Sequence, residues 1–541
     1  MQICSSCSTL RARCDSPESS TTFPTTQPSR SLRRGKSCRR CARFDALDPS
    51  AWPVHDQVDY LLVRSELDTL DYGLNVYRAT SRSPNFYLSS ISSFGMSSGA
   101  TLSRLGQLVR QPPPFDQARA REIVAHMRRI PRILEQAKVN LTEPTQEMSR
   151  WALPALADAR ESSRRFARGL VPLFPAEEAK QLMPAAEAMG AAFEDYARWI
   201  AERLPSMPKA KPVGREMYDW ILRRIWLVPF DADDVRQLGE QEYGRYLSFT
   251  SFEEARNRGL PVAKRVPTTA DYAAGTEADE KRVRAFLVER RVLTIPDYVG
   301  PYRRTLMPEY IQAFSLWAGL AGYSAPGNGS VKYAVPEDHP FAGTYWEAVM
   351  RIDPSTNIFH DGIPGHHFQG VVSARHPDAI RARHTERFKS EGWATYWEET
   401  ALQLGFYDER PRSRELLYNF LRLRALRVIV DVKMALGEMT ASEAAAALMT
   451  VPMDRRTASE EADDFFAAPT GGIVYQIGKM QIERLLGERR LQLGADFDLL
   501  RFHDDLVSAA WVPLELTRWE MTGNGELARR MLADRSPLPK P

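Results

Sequence analysis

The chain has 541 residues, and 43% of them are hydrophobic, which is enough for a substantial core. Its 72 Lys and Arg residues nearly balance its 69 Asp and Glu residues, and the formal charge of +3 excludes the strong basic field typical of nucleic-acid-binding proteins. No apolar run approaches the roughly 18 to 20 residues that a membrane span requires, and no apolar secretory signal opens the chain. We therefore expect a soluble protein, cytoplasmic or organellar, without nucleic-acid partners.

Residues 1–44 are rich in Ser, Thr, Arg and Pro and lack apolar periodicity, which predicts a disordered or targeting extension. All five cysteines lie before residue 42, so disulfides cannot stabilise the rest of the chain. The pairs Cys4/Cys7 and Cys38/Cys41 provide the ligand set of a structural zinc site, but their separation exceeds the usual spacing. The basic run at 33–40 is more typical of a targeting or solvated tail than of a nucleic-acid site.

The elements that follow are predicted to be mainly helical. Apolar residues recur at helical spacing from Leu47 onward, and helices are predicted over 115–138, 145–168, 175–204, 215–225, 231–257 and 280–291. Prolines and glycines between about 293 and 345 mark a loop-rich middle in which any small sheet would lie. Helices resume over 360–373, 386–403, 412–438, 440–448, 472–491 and 497–508. These patterns predict a mainly α fold in one helical domain, 45–541, with an active-site cleft.

A metal site is predicted in the C-terminal half, about 340–541. Zinc hydrolases need two imidazoles and a carboxylate as ligands, and a second carboxylate to accept a proton from water. The candidates are two clustered histidine positions, an adjacent aspartate and a glutamate on a later helix, namely His360, His366 or His367, Asp361 and Glu391. Alternatively, the histidines could cap a helix and pair at the surface, but the acidic helix that follows favours a metal site.

The spacing between the histidines requires a distorted helix. A gap of six residues rotates an ideal helix by about 240°, and a gap of seven adds about 10.5 Å of rise. Pro364 removes a backbone N–H group, and Gly365 tolerates unusual backbone angles, so we predict a break between the ligands. His366 is preferred over His367 as the second ligand, although spacing alone does not separate them.

Glu398 lies two helical turns after Glu391 on the same predicted face. Its carboxylate could orient a metal-binding histidine or bind a substrate amine.

The segment from His360 to Gln369, followed by Glu391-Gly-Trp-Ala-x-Tyr, resembles a large, mostly bacterial family that carries domain of unknown function 885. Residues 470–486 are similar to the Tyr-x-x-Gly-Lys helix of that family, and residues 496–517 are similar to its Phe-His-Asp segment. The resemblance extends from about residue 50 to the C-terminus. It implies a predominantly helical fold related to gluzincin-type metallopeptidases, with Zn²⁺ bound by His360, His366 and Glu391.

The resemblance also implies that Tyr475 could stabilise an oxyanion, with Lys479 and His503 as further candidates. The family typically has Glu after the first histidine, where this chain has Asp361. The shorter side chain withdraws the carboxylate by roughly 1 Å, and misplacement on that scale can cost about 100-fold in rate. We therefore expect a zinc-dependent hydrolase acting on a small peptide or amide substrate. The alternative is a metal-binding pseudoenzyme or a non-peptidase metal-assisted enzyme.

Overall fold

The computed structural model describes residue 44 and residues 46–88, 101–314 and 322–540. Over these ranges the chain is mainly α-helical with one small sheet, as predicted. The predicted extension, apart from Phe44, and the cysteine pairs lie outside the described residues. Within the described ranges, no helix combines the length and the apolar character that a membrane crossing would need.

The helices before the sheet form the N-terminal half of the body. They are α1 (Val54–Tyr72), α2 (Ala79–Arg82), α3 (Leu102–Arg110), α4 (Gln117–Asn140), α5 (Gln146–Arg150), α6 (Ala159–Leu170), α7 (Ala176–Arg203), α8 (Arg215–Trp220), α9 (Ala232–Arg256) and α10 (Thr269–Glu289). The helix predicted over 145–168 is divided, because a 3₁₀ turn at Pro154–Leu156 separates α5 from α6. Helix α10 begins well before the predicted residue 280, because the Thr268 side chain caps it by accepting a hydrogen bond from the Asp271 backbone N–H.

The sheet lies in the predicted loop-rich middle and has three strands, β1 (Tyr302–Leu306), β2 (Gly322–Ala325) and β3 (Gly329–Ala334). The order is β1-β3-β2, with β1 parallel and β2 antiparallel to β3. The short helix α11 (Glu309–Gln312) follows β1. Arg304 pairs with Lys332 in the register, so both side chains lie on one face of the sheet.

The C-terminal half carries the predicted site. Its helices are α12 (Tyr345–Met350), α13 (Pro354–Asp361), α14 (His366–Ser373), α15 (Arg387–Gln403), α16 (Pro411–Ala435), α17 (Ala441–Leu448), α18 (Arg455–Ala467), α19 (Val474–Leu493), α20 (Leu499–Ser508), α21 (Leu514–Thr522) and α22 (Glu526–Ala533). Helices α12, α18, α21 and α22 lie outside the helices predicted from the sequence, and α13 begins before the helix predicted over 360–373. Helix α18 buries mostly alanine and threonine, so its apolar periodicity is weak.

Two glycines bring α15 and α19 into close contact. A Cβ atom on Gly478 would lie 2.0 Å from the Phe388 carbonyl oxygen, and a Cβ atom on Gly392 would lie 2.5 Å from the Gly478 carbonyl carbon. Only glycine fits at this crossing, and the close approach places Glu391 of α15 near Tyr475 of α19.

Candidate metal centre

The predicted break separates the two histidines. Helix α13 ends at Asp361, the Ile363–Pro364 peptide bond is cis, and α14 begins at His366. A Cβ atom on Gly365 would lie 1.8 Å from the His360 carbonyl oxygen, so no larger residue fits there without backbone movement. The end of one helix and the start of the next thereby face each other, with the imidazole centroids of His360 and His366 4.8 Å apart.

One carboxylate oxygen of Glu391 lies close to both candidate imidazole ligands. Glu391 Oε2 lies 3.5 Å from His360 Nε2 and 3.3 Å from His366 Nε2. Two donor atoms bonded to one tetrahedral zinc at ~2.0–2.1 Å lie roughly 3.3 Å apart. Glu391 Oε2 is also buried, and within the described part of the chain it has no hydrogen-bond partner of suitable geometry. The donor set and its spacing therefore fit a divalent cation.

Further contacts orient both imidazoles. His360 Nδ1 lies 2.7 Å from Glu398 Oε1, and that oxygen also accepts a hydrogen bond of 2.6 Å from Arg424 Nη2. His366 Nδ1 lies 3.2 Å from Ser390 Oγ. Each ring uses Nδ1 for a supporting contact and presents Nε2 to the centre, an arrangement typical of metal-binding histidines.

The electrostatics of the candidate centre favour a positive charge. Burial lowers the pKa of His360, but the carboxylates of Glu391 and Glu398 outweigh it and raise that pKa to about 9. Burial raises the pKa of Glu391, but His366 and His360 together hold it well below its usual range. The carboxylate therefore stays ionised and favours positive charge at this point, whether a proton or a metal ion.

Asp361 lies beside the candidate ligands His360 and His366. One atom from each of His360, Asp361 and His366 lies within 4.8 Å of the others. Asp361 Oδ2 accepts a 2.7 Å hydrogen bond from Asn357 Nδ2. Burial raises the pKa of Asp361, but Lys332 and His360 are the leading causes of a net fall below its ordinary value. An ionised Asp361 could act as a base or as a ligand.

Four residues that act on Asp361, directly or through Asn357, were missed by sequence reasoning. Asn357 precedes Asp361 by one helical turn, a spacing that could have revealed the contact. Tyr302 donates a 2.9 Å hydrogen bond to Asn357 Oδ1, and Arg304 donates to the same oxygen. Lys332 acts from β3, and no local pattern links that strand to Asp361.

The Tyr475 ring stacks near the His360 ring, with ring centroids 6.4 Å apart and ring planes at 22°. The Arg427 and Arg424 guanidinium carbons lie 5.2 Å and 5.7 Å from the Tyr475 centroid. Burial is the main cause of a rise in the Tyr475 pKa to about 12, and the nearby Glu391 carboxylate is the second cause. The phenol is therefore protonated at neutral pH and can donate a hydrogen bond.

The remaining predicted candidates lie away from the centre. His367 Nε2 lies 2.9 Å from the Gly300 carbonyl oxygen, so this ring is engaged elsewhere. Lys479 is buried in ion pairs of 2.7 Å to Glu399 and 2.6 Å to Glu483.

His503 is also buried outside the centre. Its Nε2 lies 2.8 Å from the Tyr396 hydroxyl, and its Nδ1 lies 2.6 Å from the Val292 carbonyl oxygen. Both imidazole nitrogens of His503 are therefore engaged by polar contacts in the interior, as is the ammonium group of Lys479.

Comparisons with known proteins agree with this fold. Residues 21–521 match the family model described as "Bacterial protein of unknown function (DUF885)". A "putative lipoprotein of unknown function" from Shewanella oneidensis is similar in structure, with a TM-score of 0.65 and 17% identity over 89% of this chain and 90% of that chain. A "putative lipoprotein" from Colwellia psychrerythraea has a TM-score of 0.70 and 14% identity over 90% of this chain and 89% of that chain. None of the curated proteins matches. Because the family model covers most of its length, the chain belongs to the bacterial family of unknown function DUF885.

Proposed function

We propose that this protein is a zinc-dependent hydrolase of peptide or amide bonds, related in its site to gluzincin-type metallopeptidases. The observation that carries the proposal is the convergence of His360 Nε2, His366 Nε2 and Glu391 Oε2, with Glu391 Oε2 within 3.5 Å of both nitrogens. Two imidazoles and one carboxylate are a typical ligand set of catalytic zinc, which keeps a fourth position open. The mixed nitrogen and oxygen donors favour zinc over magnesium or calcium.

His360, His366 and Glu391 would hold the zinc ion, which supplies Lewis acidity that polarises a carbonyl group and acidifies water. Asp361 Oδ1, the carboxylate oxygen that does not accept from Asn357, would take the proton of the attacking water. The same carboxyl group would then give this proton to the leaving amine. The Tyr475 hydroxyl would donate a hydrogen bond to the oxyanion that forms at the carbonyl.

Metal analysis combined with a panel of peptides and amides tests the proposal. We expect the purified protein to contain about one zinc per chain and to hydrolyse part of the panel. His360→Ala and His366→Ala should lose both the metal and the activity. His367→Ala is the matched control, because it removes the adjacent imidazole, which contacts Gly300 instead. A wild-type protein that takes up no zinc, or a control as damaging as the two variants, would contradict the proposal.

The position of Asp361 favours a second candidate function, a metal-binding protein without hydrolase activity. Its carboxylate lies within 4.8 Å of the histidine ligand atoms, so it could complete the coordination and leave no base. Asp361→Asn distinguishes the two functions. Loss of activity with the metal retained supports a base, whereas loss of metal affinity in a protein inert toward the panel supports the second candidate. Gain of activity in Asp361→Glu would also support it.

A further inference from the structure

A cavity of about 230 Å³ opens beside Tyr475, which is one of its lining residues. The Tyr475 ring also lies 6.4 Å from the His360 ring, so this cavity, called the Tyr475 cavity below, adjoins the metal centre. A substrate held at the centre could extend a side chain or a terminal group into this space. The residues lining it therefore determine which groups are accepted.

The walls of the Tyr475 cavity are partly aromatic. Phe341, Trp346 and Phe465 contribute rings to its lining. Such rings pack well against an alkyl chain, and their faces attract cations. The walls therefore suit a long side chain with an apolar stem.

The acidic and basic residues that line the cavity comprise three carboxyl groups and two guanidinium groups, so acidic groups outnumber basic ones. The two guanidiniums are those of Arg387 and Arg427, and the carboxylates all come from α18. Arg427 Nε pairs with Glu461 Oε2 at 2.9 Å, and Trp346 Nε1 donates a 3.1 Å hydrogen bond to Glu461 Oε1. Glu461 and Arg427 therefore form an ion pair with each other. Glu460 pairs with Arg456 at 2.9 Å.

Asp464 differs from the other two carboxylates. Among the residues that the structure describes, its side chain has no salt bridge within 4 Å and no hydrogen bond. Arg387, at the start of α15, acts on Asp464 electrostatically across the cavity. Burial raises the pKa of Asp464 above its ordinary value, against the opposing effect of Arg387, and a bound cation would stabilise the ionised form. The cavity thus presents one carboxylate that a ligand can pair with.

We propose that the Tyr475 cavity binds a cationic group of the substrate, an ammonium or guanidinium on an alkyl stem, and that Asp464 is the carboxylate that recognises it. That this ligand is a substrate rests on the proposed hydrolase function. Trp346 and Phe465 would pack the stem, and Asp464 would pair with the charge. Asp464 is then a specificity-determining residue that takes no part in bond cleavage.

Paired substrates test this inference in the full-length, zinc-loaded protein. The pair is an N-acyl-lysine amide and the corresponding norleucine amide, which lacks the ammonium group. We expect kcat/KM to favour lysine by at least about tenfold, with the difference expressed in KM. Asp464→Asn should reduce this preference at least about fivefold. Asp463→Asn is the control, because Asp463 is adjacent on α18 and does not line the cavity.

Calorimetric binding of N-acetyl-lysine amide and N-acetyl-norleucine amide separates the two proposals, because it needs no turnover. Tighter binding of the lysine compound, lost in Asp464→Asn and kept in Asp463→Asn, supports the inference even if no amide is hydrolysed. Absence of amide hydrolysis would contradict only the proposed function. Equal binding of both compounds, or a lysine preference that persists in Asp464→Asn, would overturn the inference. Tighter binding of N-acetyl-glutamate amide would also overturn it and would assign specificity to Arg387.

Discussion

Glu398 Oε1 lies 2.7 Å from His360 Nδ1, which fixes the imidazole so that Nε2 faces Glu391 and His366. Arg424 Nη2 donates a 2.6 Å hydrogen bond to the same oxygen, a charge-assisted contact that holds the buried Glu398 side chain in place. The relationship links α16 to the metal centre through α15. We therefore expect Glu398 to influence metal affinity, whatever reaction the centre supports.

Glu398→Gln should weaken zinc binding by about 10- to 100-fold, because the neutral amide is a poorer acceptor for the His360 N–H group. Competition with a chelator of known affinity measures the effect. Glu399→Gln is the matched control, because Glu399 is the next residue on α15 but pairs with Lys479 and Arg245. We expect that control to lower stability while zinc affinity stays near the wild-type value. Equal loss of affinity in both variants would mean that Glu398 acts only through the fold.

The proximity of the candidate ligands could largely be predicted from the sequence, because its signals are local. Pro364 and Gly365 indicate a helix break by their own chemistry, and histidine and glutamate are recognisable ligand types. The preference for His366 over His367 cannot be derived from the local sequence. It depends on Gly300, whose carbonyl oxygen lies 2.9 Å from His367 Nε2.

The supporting residues that lie far away in the sequence were inaccessible to pattern reasoning for the same reason. Arg424 reaches Glu398 from another helix, and Lys332 acts on Asp361 from the sheet. Tyr475 and Lys479 lie one turn apart on α19, yet Tyr475 lies near His360 and Lys479 pairs with Glu399. Their different roles are set by which side chains of α15 and α13 face them.

Gly365→Ala should disrupt the centre, because the added Cβ atom would lie 1.8 Å from the His360 carbonyl oxygen. The start of α14 must then shift and carry His366 away from Glu391. We expect zinc affinity to fall more than tenfold and the free energy of unfolding to decrease by about 1–3 kcal/mol. Chelator competition and urea denaturation measure the two effects.

Gly370→Ala is the control for that change, because it lies on the same helix and its added Cβ atom would meet no atom within 4 Å. Alanine favours the helix over glycine, so the control should gain up to about 1 kcal/mol. Unchanged zinc affinity in Gly365→Ala would show that the break tolerates a side chain.

Tyr475→Phe should lower kcat by about 10²- to 10³-fold if the phenol donates to an oxyanion, with zinc content unchanged. The Tyr475 pKa of about 12 keeps the donor protonated through neutral pH, so the effect should not vary between pH 6 and 8. Steady-state kinetics on a hydrolysed amide measure it. Tyr396→Phe is the control, because that hydroxyl contacts His503. A Tyr475→Phe enzyme with normal kcat would remove Tyr475 from the mechanism.

His503 should make the fold sensitive to acid. Burial lowers its pKa to about 4 from an ordinary 6.5, against the opposing effect of the Val292 carbonyl group. Between these values the unfolded chain binds more protons than the folded chain, so the stabilisation is full above about pH 6.5 and is lost as pH falls toward 4. The loss is up to ~3 kcal/mol, at about 1.4 kcal/mol per pKa unit.

Urea denaturation between pH 4 and 7 tests this dependence in His503→Gln, whose amide can still donate to Val292 and accept from Tyr396. We expect that variant to lose less stability than the wild type on acidification, even if it is less stable at pH 7. His55→Gln is the control, because it replaces a histidine whose side chain is 52% exposed. A His503→Gln profile parallel to that of the wild type would show that other buried groups set the acid limit of the fold.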